Sequence, residues 1–76
     1  MINVYEQKEK FCRHELLALL QAIYPRILRV EYKLHDDGTE IVTIVWFTEE
    51  SGEHYRPINV TADSLAALAR DVLKNI

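Results

Sequence analysis

The sequence predicts an α+β fold: a single α-β-β-β-α sandwich, in which a three-stranded antiparallel meander carries two helices on one face. Three observations predict it. Apolar residues recur at spacings of three and four near both ends of the chain, they alternate with charges over residues 27–34, and Gly38 and Gly52 mark turns between β-rich runs. With 76 residues, 49% hydrophobic and 28% charged, the chain is long enough for one domain and too apolar for disorder. Residues 1–76 are therefore read as one compact domain.

Asn3 and Glu6 have the spacing of a capping box, which places a helix start there. Phe11, Cys12, Leu16, Leu19, Leu20 and Ile23 then form one apolar stripe, with Glu6/Lys10 and Glu9/Arg13 as i,i+4 pairs outside it. Pro25 ends the helix near Tyr24. In the first strand Leu28, Val30, Tyr32 and Leu34 fall on one side, and Arg29, Glu31 and Lys33 on the other.

Asp37-Gly38 reads as the two-residue loop of a type I′ hairpin. Counting from it pairs Leu34 with Ile41, Tyr32 with Thr43, Val30 with Val45 and Leu28 with Phe47. The second turn, Glu50-Ser51-Gly52-Glu53, pairs Val45 with Ile58 and Thr43 with Val60. Both turns then direct Ile41, Thr43, Val45 and Phe47 toward the helices, and a one-residue slip would reverse that assignment. Thr61 is the expected cap of the last helix, whose stripe is Leu65, Leu68, Ala69, Val72, Leu73 and Ile76.

This element order resembles that of the double-stranded-RNA-binding domain, in topology alone. The resemblance implies that A-form RNA would be read through the first helix, a Gly-Pro-x-His type loop between the first two strands, and a Lys-Lys-x-Ala-Lys type cluster opening the last helix. At those places this chain has His35-Asp36-Asp37-Gly38-Thr39-Glu40 and Thr61-Ala62-Asp63-Ser64. Asp36, Asp37, Glu40 and Asp63 would jointly repel phosphates. The net charge of −3 is also uneven: residues 1–33 carry six bases and four acids, residues 34–76 three bases and eight acids. The remaining bases, Arg26, Arg29 and Lys33 with Lys8, Lys10 and Arg13, alternate with glutamates and read as a solvated mixed face. Nucleic-acid binding is the alternative function, not the first.

The same register leaves the other sheet face uncovered. It would collect Val42, Ile44 and Trp46 along the central strand, with Ile27 on one neighbour and Tyr55 and Pro57 on the other, and no third helix to cover them. Contiguous apolar patches of this kind mark interfaces, and tryptophan is enriched at their hot spots. The predicted protein-interface residues are therefore Ile27, Val42, Ile44, Trp46, Tyr55 and Pro57, and the predicted partner is a second copy packing sheet on sheet, or another protein.

No catalytic constellation assembles from the sequence. Cys12 lies in the apolar stripe, and His14 is off that face. His35 is expected opposite Glu40 and His54 opposite Glu49, at opposite ends of the sheet, so neither pair builds a metal site. No cofactor is expected, since Gly38 and Gly52 stand alone in turns. No apolar run approaches the roughly 18 residues of a membrane span, and Met1–Lys10 is too charged for a signal peptide. The lone cysteine agrees with a reducing, cytoplasmic setting. The sequence thus points to a small acidic, non-enzymatic interaction protein. A narrower alternative comes from the acids at both hairpin ends (Asp36, Asp37, Glu40; Glu49, Glu50, Glu53): an inhibitor of a nucleic-acid-binding protein, of the kind phages and mobile elements encode.

Overall fold

Asn3 begins the first helix as expected: its Oδ1 accepts from the Glu6 amide at 2.8 Å, while the Glu6 carboxylate meets the Asn3 side-chain amide at 3.4 Å. The computed structural model describes residues 3–76, so Met1 and Ile2 of the segment read against a signal peptide lie outside the described residues. The helix runs as α1 (Val4–Phe11), a π-helical stretch (Cys12–Leu16) and α2 (Leu17–Ile23), with helical backbone angles at both junctions. Then follow β1 (Ile27–Leu34), β2 (Glu40–Thr48), β3 (Gly52–Asn59) and α3 (Leu65–Lys74). The sheet order is β1-β2-β3, antiparallel throughout, and the fold is α+β.

The π stretch has a geometric cause. Lys8, Cys12, Leu16 and Leu20 are the buried positions of this helix, and they recur every fourth residue. In a regular α-helix four residues overshoot a full turn by about 40°. The wider i→i+5 turn reduces that drift and keeps all four side chains against the sheet. Leu19 and Ile23, expected in the stripe, are instead about half exposed, at 47% and 52%. Gln21 Nε2 donates to the Ile27 carbonyl at 2.9 Å and ties the end of α2 to the start of β1.

The hairpin register differs from the expected one. The first loop has three residues, Asp36, Asp37 and Gly38: the His35 amide donates to the Thr39 carbonyl at 2.8 Å, the Gly38 amide to the His35 carbonyl at 3.0 Å, and Gly38 takes φ 90°. Asp37 Oδ1 accepts from the Thr39 amide at 3.0 Å, which steadies the longer turn. Val30 therefore pairs with Ile44 and Tyr32 with Val42, one residue away from the expected partners. Across the second turn Val42 pairs with Ile58 and Ile44 with Arg56. Both shifts are odd in number, so β1 and β3 keep their expected faces and β2 alone turns over.

That reversal puts Val42 and Ile44 in the core with Leu16, Leu20, Val30, Ile58, Val60, Leu68 and Val72. β2 is apolar on both faces, so its alternation carries no phase, and the loop length decides. A β-bulge between Ile27 and Arg29 adds a second correction. It leaves Leu28 43% exposed and turns Ile27, 5% exposed, to the same side as Val30.

The last helix starts later than expected. Ala62 takes φ 63°, which a helix interior does not admit, and the Thr61 hydroxyl is already accepting from the Glu40 amide at 3.0 Å. Ser64 is the cap in its place, its Oγ accepting from the Ala67 amide at 3.2 Å. Leu68 and Val72 of α3 belong to the same core as the first helix, so both helices cover one face of the sheet.

The opposite face is closed by its own side chains. Val45 is fully buried yet lies away from the helices, between its cross-strand neighbours Arg29 and Tyr55. Arg29 Nε meets Glu31 at 2.6 Å and its Nη1 approaches Glu53 at 3.7 Å, while the Tyr55 hydroxyl donates to Glu53 at 2.9 Å. The alkyl and aromatic parts of this layer cover Val45 while its charges stay in water. Phe47, 42% exposed, and Tyr55, 59% exposed, are the large apolar side chains left open on this face.

Candidate functional site

Two clusters of polar side chains lie on the helix side of the sheet. The first is centred on Glu40, expected to be a solvated turn residue and found 3% exposed. Lys8 Nζ donates to its Oε1 at 2.6 Å, the Tyr32 hydroxyl donates to the same oxygen at 2.6 Å, and the Ala62 amide donates to Oε2 at 2.7 Å. Three donors from three different parts of the fold thus meet this carboxylate. Burial pushes its pKa up, but the hydrogen bonds from Lys8, Tyr32 and Ala62 outweigh that and hold it below the usual carboxylate range. Burial, and then the bond to Glu40, raises the Tyr32 hydroxyl. The cluster joins α1, β1, β2 and the loop before α3, and its role is architectural.

Asp63 stands beside this cluster with its Oδ2 buried and, among the described residues, without a donor. Contact with the Asp71 carboxyl, then burial, raises its pKa, so the fold favours its protonated form. That contribution to stability is present below the ordinary aspartate pKa and is lost as pH rises through the folded value. Asp63→Asn should therefore raise the melting temperature at pH 7, because an amide can donate to Asp71 where a carboxylate cannot. The gain should vanish near pH 3, and thermal unfolding followed by circular dichroism at both pH values checks it.

The second cluster forms an open groove of about 270 Å³ between the end of α2, the sheet and the residues after α3. Ile27, Ile44 and Trp46 make its floor, Tyr24 and Ile76 its apolar walls, and Arg26 and Arg56 its charged flanks. Trp46 is held from β3: its ring stacks on its cross-strand neighbour His54 at 5.4 Å between centroids and 15° between planes, and His54 Nε2 is 3.0 Å from the Thr48 hydroxyl. Arg56 lies directly opposite Ile44 on the helix side of β3, and its Nη1 donates to the Asn75 carbonyl at 2.9 Å. The Arg26 carbonyl accepts from the Phe47 amide at 3.1 Å, which fixes the backbone from which its side chain reaches the groove. Among the described residues neither arginine forms an ion pair with an acid.

The six predicted interface residues do not share one exposed face. Ile27, Ile44 and Trp46 meet in the groove on the helix side, Val42 is sealed in the core, and Tyr55 and Pro57 remain on the other face of the sheet. The reversal of β2 accounts for this division. Arg56 was legible only by parity, sharing the face of Ile58 and Val60 on its strand. Lys8, read as part of a solvated mixed face, is 3% exposed; its place four residues before Cys12, in the run of every fourth position, is the signal for its burial. Arg26 and Ile76 carry no local signal, since only the tertiary fold brings them together.

The expected opposition of His35 to Glu40 and of His54 to Glu49 does not occur: His35 faces Thr39 and His54 faces Trp46. Among the described residues no group of three or more histidines, cysteines and acids is placed to hold a metal ion. Cys12 is fully buried, and burial pushes its thiol up to about 12. The native protein should therefore react negligibly with iodoacetamide at pH 8 and fully in urea, and mass spectrometry of the alkylated chain checks this. Among the described residues no helix is long and apolar enough to cross a membrane.

Comparison with protein-family models, with curated proteins and with solved structures returned no match.

Proposed function

We propose that this chain is a non-enzymatic interaction module of the cytoplasm, and that it binds an acidic segment of another protein, with an aliphatic or aromatic side chain at its centre, in the groove over Trp46. One observation carries the reading: an apolar floor of Ile27, Ile44 and Trp46 lies between two arginines that no acid of the described residues neutralises. An anchor residue entering such a floor gains apolar burial, and carboxylates beside it gain charge-assisted hydrogen bonds.

Charge supports this occupant over nucleic acid. Of the bases read as a possible basic side, Lys8 is buried against Glu40, Arg13 meets Glu9 at 3.2 Å, and Arg29 is engaged by Glu31 and Glu53. What is left is too sparse to follow a phosphate backbone. The acids of an inhibitor-like surface are also fewer than the sequence indicates, since Glu40 is internal and Glu53 is held by Arg29 and Tyr55.

The test uses a blocked, glutamate-rich decapeptide with a central pair of leucines, followed by the emission of Trp46, the chain's single tryptophan. Saturable binding is expected, weakening at least about tenfold in the Arg26→Glu, Arg56→Glu variant, the equivalent of roughly 1.4 kcal/mol. Raising salt should weaken it further. No change in emission up to about 1 mM peptide, or a solution mass showing a dimer that buries Trp46, would refute the proposal.

A further inference from the structure

We infer that the segment after α3, Asn75-Ile76, is a displaceable plug of the groove, and that the partner takes its place by offering the same two features, an aliphatic side chain and an oxygen for Arg56. The inference rests on the groove being the binding site. Ile76 lies against the groove with Ile27, Ile44 and Trp46, and the Asn75 carbonyl accepts from Arg56 at 2.9 Å. The chain thus presents to its own groove a short stretch with the chemistry proposed for the partner.

The hold of this plug is limited. Asn75 has left the helix, with φ −104° and ψ 12°, and Ile76 remains 40% exposed. A peptide carbonyl gives Arg56 a partial charge, where a carboxylate would give a full one and a stronger, shorter hydrogen bond. No acid of the described residues lies within ion-pair distance of Arg26, so an acidic partner makes an ion pair that the seated plug does not. Asn75 Nδ2 donates to the Asp71 carbonyl at 2.7 Å, which anchors the segment at its helix end and leaves Ile76 as the part that moves. Apparent affinity for the partner is then reduced by the fraction of molecules in which the plug is seated.

The same decapeptide tests this on the full chain, with the Ile76→Ser variant beside wild type. The fold of the variant is checked by near-ultraviolet circular dichroism, and a half-exposed side chain at this position is not needed for it. The variant should bind about three- to tenfold more tightly, and in wild type the Ile76 methyl resonances should move toward solvent values as peptide is added. Equal or weaker binding by the variant overturns the plug, and so do Ile76 resonances that do not move. If that binding is still lost in the Arg26→Glu, Arg56→Glu variant, the groove reading stands without the plug. Absence of binding by both wild type and Ile76→Ser overturns the two together.

Discussion

Lys8→Met is expected to destabilise the fold by roughly 3–5 kcal/mol at pH 7, because it leaves the Glu40 carboxylate buried with its cation removed. By the usual per-residue scale a chain of 76 residues has about 4–11 kcal/mol of total stability, so the variant should be near the limit of folding. The geometry behind the number is the 2.6 Å contact between two side chains that are each only 4% exposed. Removing both charges together, as Lys8→Met with Glu40→Gln, should recover much of the loss, since no unpaired charge is then left inside. Urea unfolding of the three proteins measures the effect, and a cost below about 1 kcal/mol for Lys8→Met would show that water or another group satisfies Glu40. The folded pKa of Glu40 is lowered, so its stabilisation is present above the ordinary glutamate pKa of about 4.3 and is lost as pH falls through the folded value. The difference between wild type and Lys8→Met should narrow accordingly in acid.

Leu16→Ala is the second large effect, expected at about 2–5 kcal/mol from lost apolar burial and the cavity left behind. Leu16 is fully buried at the end of the π stretch, in the core with Val30, Val42, Ile58 and Leu68, where relaxation has little freedom. Leu19→Ala is the matched control. The apolar stripe read from sequence spacing includes both leucines, but the underwound helix turns Leu19 out to 47% exposure, and its replacement should cost within about 0.5 kcal/mol. Equal costs for the two would contradict the helix phase described above.

The fold was legible in the sequence where a local signal had one meaning. Asn3 with Glu6, Pro25 after Tyr24, and the alternation of Val30 and Tyr32 with Arg29 and Glu31 each specify a boundary or a face. The register was not legible, because Asp37-Gly38 fits a two-residue loop and also the last two places of a three-residue one. Glu40 was misplaced for a related reason: one step of register carries it from a solvated turn to the buried cluster with Lys8 and Tyr32. The groove was half legible. Ile27, Ile44 and Trp46 stood out as apolar residues that should meet, and they do meet, but Arg26, Arg56 and Ile76 join them only through the way the three-dimensional fold closes.

The three-residue loop at Asp36–Gly38 has a consequence for how this chain can change over generations. Surface loops ordinarily accept gained or lost residues at little cost. Here the loss of one tip residue would leave a two-residue turn between His35 and Thr39, so Val30 would still face Ile44 and the core side of β2 would stand. The loss of a residue within β2, such as Ile41, would instead turn the rest of that strand over and send Val42, Ile44 and Trp46 to the outer face, like replacing several core residues at once. The hairpin tip is therefore free to shorten by one residue, whereas the length of β2 is as constrained as the identity of any buried side chain.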